Sequence, residues 1–511
     1  MNKFLTASLL LALILIFLGI NRGFDISDEG VYALLAVPNQ ENIAGVFNYD
    51  LFFKLFYKAT GFEFGIVGLR VLRLLTCLIA ATSLATFWAN LNQDKNEKSS
   101  VFLIALLGIL ASYGFLPQTL SYNSINLMCG CAWLALISGK LTASRLILLG
   151  TSLSLLFYSK VTVCIILSLL AVAFILFVAH RKTVGSMLLF LLLPFLLLEL
   201  VFMLVLGESG VTRAIAAQEM LKYRPDYHFP TIVKYTAVGI FWSVLVFTPF
   251  VFAGYLRRKG KFYHRIVVGI GFVIFLVISY FTTITAEVNH YLLLGTLAVL
   301  GFLMGSSPFP KMSRRQTGFL LLLIGFPFIL HFGSNVYFLR LGIHYWVFWM
   351  LAILFSLREE HVKGRIILHI LFPLFSLILV FNGISIYAFN SYSYTDESVL
   401  WEYQKGKFIR LPISERNLYD DLSNLVSETG EQYVLPIYRN PGLVYMLGKR
   451  HPKTPGLWSS YQLRYFFPSA EAIAVIFYND TFEFPFDRDE WIKQGEFVIK
   501  EDQIIQVFWK K

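Results

Sequence analysis

Charge is what this sequence has least of: Asp, Glu, Lys and Arg supply 15% of its 511 residues. Soluble domains carry about a quarter of their residues as charge, so a chain this long with so little excludes a purely soluble enzyme or a disordered protein. Cysteine is equally scarce, and Cys77, Cys129, Cys131 and Cys164 all lie in apolar stretches. That distribution excludes a disulfide framework in the polar parts of the chain. Cys129 and Cys131 flank a single residue and would point to different faces of a helix, which suits packing rather than metal binding. Internal repeats are not visible, and such repeats are the usual mark of transporters. The net charge of +11 comes without a basic tail or stripe, because lysines and arginines fall in short breaks between apolar runs. A nucleic-acid partner is excluded on that ground. The first apolar run ends in "NRGFD" with no small-residue cleavage site, so a retained first helix is expected.

What the sequence has in abundance is apolar length. Hydrophobic residues make up 57% of it, and the mean hydropathy is +0.64. A membrane span takes about 20 apolar residues, and Leu5 to Ile20, Val101 to Leu116, Ser186 to Leu206 and Ile366 to Tyr387 all qualify. Runs separated by polar breaks number about 13, which predicts an α-helical polytopic membrane protein with its termini on opposite sides. Alternate breaks differ in charge. One set holds Lys95 and Lys98, Lys140 and Arg145, Arg181 and Lys182, Arg257 to Arg265, Lys311 to Arg315, and Arg358 to Arg365. The other set, with "LPQTLSYN" (116–123), "TITAEVNH" (283–290) and "FGSNVYFLR" (332–340), has almost none. The positive-inside rule makes the first set and the N-terminus cytoplasmic, in a plasma or inner membrane.

Two outward loops are long, 21–63 and 207–232, and "TRAIAAQEMLKYR" in the second has helical spacing and mixed charge, as an interfacial helix does. Leu146 to Tyr158 is short for a span and predicts a broken or partly embedded helix at the boundary near Lys160. From about Asn390 the composition turns soluble, with strand-length runs "YVLPIY" (433–438), "AIAVIFY" (472–478) and "IIQVFW" (504–509). The expected organisation is a transmembrane unit over 1–389 and a small α/β extracytoplasmic domain over 390–511.

Just past the first run stands "SDEGVYALLA" (27–36). Apolar residues at 31, 34 and 35 place Asp28 and Glu29 near a helix N-terminus, where the dipole favours an ionised carboxylate. Carboxylates there can stay solvated, hold a metal, or act as a base on an arriving substrate.

An Asp-Glu pair followed shortly by Tyr, in the first outward loop after one helix, resembles the GT-C superfamily of polytopic glycosyltransferases, which includes protein mannosyltransferases and bacterial aminoarabinose transferases. The resemblance implies a GT-C fold, a sugar donor carried on a polyprenyl phosphate, and a glycolipid, polysaccharide or protein acceptor. It makes Asp28 the base and Glu29 its neighbour, with inversion at the anomeric carbon. "NYDLFFKLFYKATG" (48–61) is similar to the family segment that closes the first loop, with Asn48, Tyr49 and Asp50 in place of the usual Lys-Pro-Pro. In "TLSYNSINLM" (119–128), Asn123 stands where relatives often carry an acid.

"YSKVT" (158–162) resembles a family segment whose lysine sits at the outer end of a helix, which implies Lys160 on the donor phosphate. "EVNHYLLLGTLAVLG" (287–301) resembles a stretch with an arginine facing that phosphate, and implies His290 and Tyr291 there. Arg213 and Arg224 in the long loop are further candidates. "FGSNVYFLRLGIHYWVFW" (332–349) and "NPGLVYMLGKRHP" (440–452) are similar to bacterial members. Metal use stays open, with a divalent cation, magnesium or manganese, as the candidate. A polysaccharide ligase or polymerase and a lipid-linked sugar flippase or transporter are the competing functions.

Overall fold

The computed structural model describes residues 2–92, 97–115, 117–178, 181–222, 224–283, 288–306, 312–357, 362–385, 397–470, 473–500 and 503–511. Lys95, Lys311, Arg358 and the expected boundary at 389/390 lie outside the described residues. The chain is mostly helical. Helix α1 (Asn2–Gly19) is followed by two short helices, α2 (Asp28–Leu35) and α3 (Asp50–Thr60), and then by α4 (Ile66–Asn92), α5 (Lys98–Leu110), α6 (Tyr122–Ile137), α7 (Ala143–Ser159) and α8 (Val161–Val178). Next come α9 (Arg181–Leu206), a short α10 (Gly210–Leu221), α11 (Phe229–Arg258), α12 (His264–Thr282), α13 (Val288–Ser306), α14 (Arg314–His331), a one-turn α15 (Phe338–Leu341), α16 (Trp346–Ser356) and α17 (Val362–Ser385).

Eight helices among the described residues are long and apolar enough to cross a membrane, and α1, α5, α6 and α7 belong to shorter apolar helical stretches. Their outer faces carry exposed apolar side chains such as Phe17, Leu169, Phe177 and Leu204, as expected of helices surrounded by hydrocarbon. α16 is the exception that holds the bundle together. Trp346 to Ile353 are each at most 1% exposed, and a helix apolar on every side belongs in the middle of a helical assembly. The expected break at Lys160 is present, since α7 ends at Ser159 and α8 starts two residues later.

Arg70, Arg73 and Glu199, the few charges within apolar runs, are all engaged. Arg73 donates to the Pro117 carbonyl and to Ser112 Oγ at 3.2 Å, and lies over the Tyr113 ring. Glu199 accepts from Tyr158 Oη and Ser209 Oγ, both at 2.6 Å, and from the backbone N–H of Gly210 at 3.1 Å. It thereby satisfies an otherwise unpaired donor at the start of α10.

The C-terminal portion begins with a hairpin, β1 (Val399–Gln404) and β2 (Lys407–Leu411), turned through Gly406 at φ 74°. After α18 (Ile413–Ser427) come β3 (Leu435–Ile437), α19 (Pro441–Met446), α20 (Ser460–Phe466), β4 (Val475–Asn479), β5 (Trp491–Lys500) and β6 (Gln503–Lys510). The sheet order is β3-β4-β6-β5, parallel between β3 and β4 and antiparallel elsewhere. The three strand-length runs read from the sequence correspond to β3, β4 and β6. The interrupted β5, with its bulge at Gly495, escaped that reading because its apolar residues do not alternate cleanly.

This portion is stitched to the helices. Arg410 exchanges backbone bonds with Gly23 (3.0 Å) and Asn21 (2.7 Å), and Tyr403 Oη accepts the backbone N–H of Ile66 at the head of α4.

Candidate functional site

The site is built around α2. Its two faces belong to different cores: Val31, Tyr32 and Leu35 pack into the helical bundle, while Ala33 and Leu34 pack into the C-terminal core. Residues 31, 32 and 35 fall on one side of a helix and 33 and 34 on the other, so this eight-residue segment is a wedge between both halves. Glycine makes the second contact possible. A Cβ on Gly30 would sit 2.3 Å from the Gly442 nitrogen, and the Gly442 N–H donates to the Ile26 carbonyl at 2.7 Å.

The start of α2 is organised by Asp25. Its carboxylate accepts the backbone N–H of Glu29 (3.1 Å) and Ser27 (3.3 Å), and Glu29 Oε2 accepts the N–H of Asp25 in return at 3.1 Å. Glu29 is fully committed beyond that. Arg70 Nε donates to its Oε1 and Nη2 to its Oε2, each at 3.0 Å, and the pair is at most 2% exposed. The same guanidinium collects the carbonyls of Ile20, Arg22 and Gly23 where α1 ends. Glu29 therefore stands as an anchor, not as an available carboxylate beside Asp28.

Asp28 faces the other way, into a cavity of about 420 Å³ lined by both halves of the chain. Among the described residues no protein group hydrogen-bonds its carboxylate. Burial pushes it up to about 6, against the pull of Arg340 and Arg439. Burial, together with the charge of Asp28, pushes Asp25 up to about 7, while the N–H groups of Glu29 and Ser27 work the other way. A carboxyl near 6 is mostly ionised at neutral pH yet basic enough to take a proton.

The chamber wall is otherwise cationic and amide-bearing. Arg224, Arg340 and Arg439 all line it. Arg224 lies 4.0 Å from Asp226 and over the Tyr227 ring. No carboxylate stands within 4 Å of Arg340 or Arg439 among the described residues. Asn123 is 3% exposed, and neither atom of its amide has a hydrogen-bond partner there. Buried amides left so are rare unless water, an ion or a ligand completes them. Tyr32, Tyr122, Phe47 and Trp458 add flat apolar surface, with Phe47 and Tyr122 stacked at 4.2 Å.

A second cavity of about 500 Å³ abuts the first. It runs between α11, α12, α13 and the segment 335–340, and its wall is apolar, with Val238, Trp242 and Phe281. Phe281 is 72% exposed, so the groove reaches the apolar outer surface of the bundle. Asn335, Val336 and Arg340 line both cavities. Arg340 thus stands at their junction.

Of the residues expected on a donor phosphate, Arg224 lines the chamber and His290 lines the groove. The others lie elsewhere. Lys160 is buried and donates to the carbonyls of Leu330 (2.8 Å) and His331 (3.1 Å), closing the end of α14. Arg213 grips both Asp50 oxygens at 2.8 Å and also meets Glu208, which ties the loop after α9 to α3. Asn48 stands where a cation was expected, and two residues on, Asp50 is what holds Arg213. Tyr291 is exposed, its ring edge-on to Phe275. Arg340 and Arg439 were not singled out from the sequence, although "FGSNVYFLR" ends on the first and the second lies between "YVLPIY" and "NPGLVYMLGKRHP".

A divalent cation finds no matching donor set among the described residues. Among the described residues no group of three or more His, Cys, Asp or Glu converges, Glu29 is taken by Arg70, and the one carboxylate of the chamber faces arginines. No family model, no curated protein and no solved structure matches this chain.

Proposed function

We propose that the protein is a membrane glycosyltransferase that moves a sugar from a polyprenyl-phosphate carrier to an extracytoplasmic acceptor. The observation that carries this reading is the pairing of an unengaged carboxylate, Asp28, with an apolar groove that meets its chamber at Arg340. A lipid-linked phosphosugar has the matching shape: an apolar tail, one phosphate, and a sugar head. The tail would lie in the groove, the phosphate at Arg340 with Arg224 beside it, and the sugar against the aromatic wall. His290 on the groove wall suits the tail end of the phosphate.

In the reaction, Asp28 takes the proton of the acceptor hydroxyl as its oxygen bonds to the anomeric carbon. The bond from that carbon to the phosphate oxygen breaks, and the electron pair leaves with the carrier phosphate, whose added charge Arg340 stabilises. Attack from the face opposite the leaving phosphate inverts the anomeric carbon. The phosphate is already a competent leaving group, so no nucleotide is consumed.

Topology supports the same reading. Thirteen crossings require α14 and the four shorter apolar helices to span together with the eight long ones. The chamber then lies at the end away from Lys140, Arg145, Arg257, Arg258, Arg314 and Arg315, which is the extracytoplasmic end by the positive-inside rule.

The test follows label from polyprenyl-phosphate sugars into glycolipid, in membranes carrying the wild-type chain or Asp28→Asn at equal abundance. Transfer that needs Asp28 is the expected result. Undiminished transfer by Asp28→Asn removes Asp28 as the base, and absence of transfer by the wild type with every donor removes the transferase.

A further inference from the structure

Resting on that transferase reading, we propose that the acceptor carries an anionic group, a phosphate or a carboxylate, and that Arg439 of the C-terminal portion holds it. The chamber has two distinct cationic walls. Arg340 lies where the groove opens and serves the carrier side. Arg439 lies between β3 and α19, lines only the chamber, and faces it together with Gln462 of α20.

On this second wall Arg439 and Gln462 turn side-chain donors to the chamber. Gln462, 6% exposed, spends its side-chain carbonyl on the Trp458 N–H at 2.7 Å, and its amide nitrogen has no acceptor among the described residues. Arg439 brings five N–H donors and a permanent charge, with no carboxylate within 4 Å. A neutral sugar hydroxyl needs both a donor and an acceptor, whereas a wall of donors with a guanidinium matches an oxyanion, which an arginine grips in two places. Asn123, buried in the wall of the same chamber, adds a further polar group for a ligand to meet.

Arg439 is also held in place at a local disadvantage. Its φ is 62°, in the left-handed region that side-chain-bearing residues rarely adopt. Its backbone N–H is fixed by the Leu457 carbonyl at 3.0 Å. Glycine would relax that position but would remove the charge from the wall.

The test measures binding of glucose 6-phosphate, glucuronate and glucose to the purified full-length chain in detergent at low salt. Arg439→Asn removes the charge while tolerating the left-handed backbone, Arg439→Lys keeps it, and the melting temperature reports folding of each. The expected result is that at least one anion binds roughly tenfold or more tightly than glucose, that Arg439→Asn abolishes the preference, and that Arg439→Lys retains part of it. Comparing the two anions tells phosphate from carboxylate. Equal binding of all three sugars, or a preference that survives in Arg439→Asn, overturns the proposal.

Undecaprenyl phosphate, measured in the same samples, reads the transferase separately. Its binding weakens more in Arg340→Gln than in Arg439→Asn. Anion preference through Arg439 with no binding of undecaprenyl phosphate keeps the anion site and removes the transferase. Binding of undecaprenyl phosphate through Arg340 without anion preference removes the anion site and keeps the transferase.

Discussion

Glu29 and Arg70 form a buried two-bonded ion pair, 3.0 Å at each contact, with the Asp25 N–H completing the carboxylate at 3.1 Å. The pair joins α2 to α4 and to the end of α1, so the acid beside the proposed base is what fixes that base in space. Removing one member of such a pair strands the other charge, which costs about 3–5 kcal/mol. Glu29→Ala is therefore expected to lower the melting temperature of the purified protein sharply and to reduce its abundance in membranes. A melting temperature equal to the wild type would end the anchoring role.

Asp28→Asn is expected to behave oppositely. Its carboxylate has no hydrogen bond to lose, and neutralising it relieves the burden of a buried charge. Loss of a general base lowers rates by about 10²–10⁴-fold, and transfer measured at equal abundance should fall by that much while the melting temperature holds or rises. A variant that both melts early and loses transfer would make Asp28 structural.

The two raised carboxyls give stability and transfer opposite trends with pH. In the fold Asp28 titrates near 6 and Asp25 near 7, above their ordinary value of 3.8. A folded-state value above the unfolded one contributes stability that is full below the unfolded value and is lost as pH rises through the folded one. Stability should therefore fall between about pH 4 and 7 while transfer rises as Asp28 gives up its proton. Melting temperatures and initial rates across pH 5 to 8 check both, and Asp25→Asn should flatten the stability trend. Parallel rather than opposite trends would contradict the assignment.

Gly442→Ala is expected to loosen the C-terminal portion from α2. The added methyl would stand 2.5 Å from the Ile26 Cα, and overpacking a close contact costs about 1–3 kcal/mol. Limited proteolysis in detergent should cut this variant faster between the two halves, and transfer should fall because Arg439 reaches the chamber from that side. Wild-type proteolysis kinetics would show that the contact yields without consequence.

Val238→Trp fills the apolar groove from α11 and leaves Asp28 and the arginines themselves unaltered. The Michaelis constant for a long-chain carrier sugar should rise several-fold, with a smaller change in kcat and little effect on a short-chain donor. Equal effects on both donors would place the tail outside this groove.

Much of this organisation is written locally. Apolar runs of membrane length set the long helices because hydrocarbon leaves backbone groups no partner but their own helix. Alternation of basic and neutral breaks distinguishes one end of the bundle from the other. "SDEGVYALLA" carries its own helix start, and the strand runs 433–438, 472–478 and 504–509 emerge as β3, β4 and β6. Those features depend on neighbours within a few turns of chain.

Which polar side chain serves which partner was decided by tertiary structure alone. Adjacent on a helix, Asp28 and Glu29 point about 100° apart, and only the position of Arg70, some forty residues on, turns one into an anchor and leaves the other in a chamber. Lys160 and Arg213 read from the sequence as cations for a phosphate, yet the carbonyls of α14 and the Asp50 carboxylate claim them. Arg340 and Arg439, remote in sequence from Asp28 and from each other, reach its chamber because α2 is clamped between bundle and C-terminal core. A charge in the sequence carries no record of its nearest opposite charge, and in a low-dielectric interior that neighbour determines what the group can do.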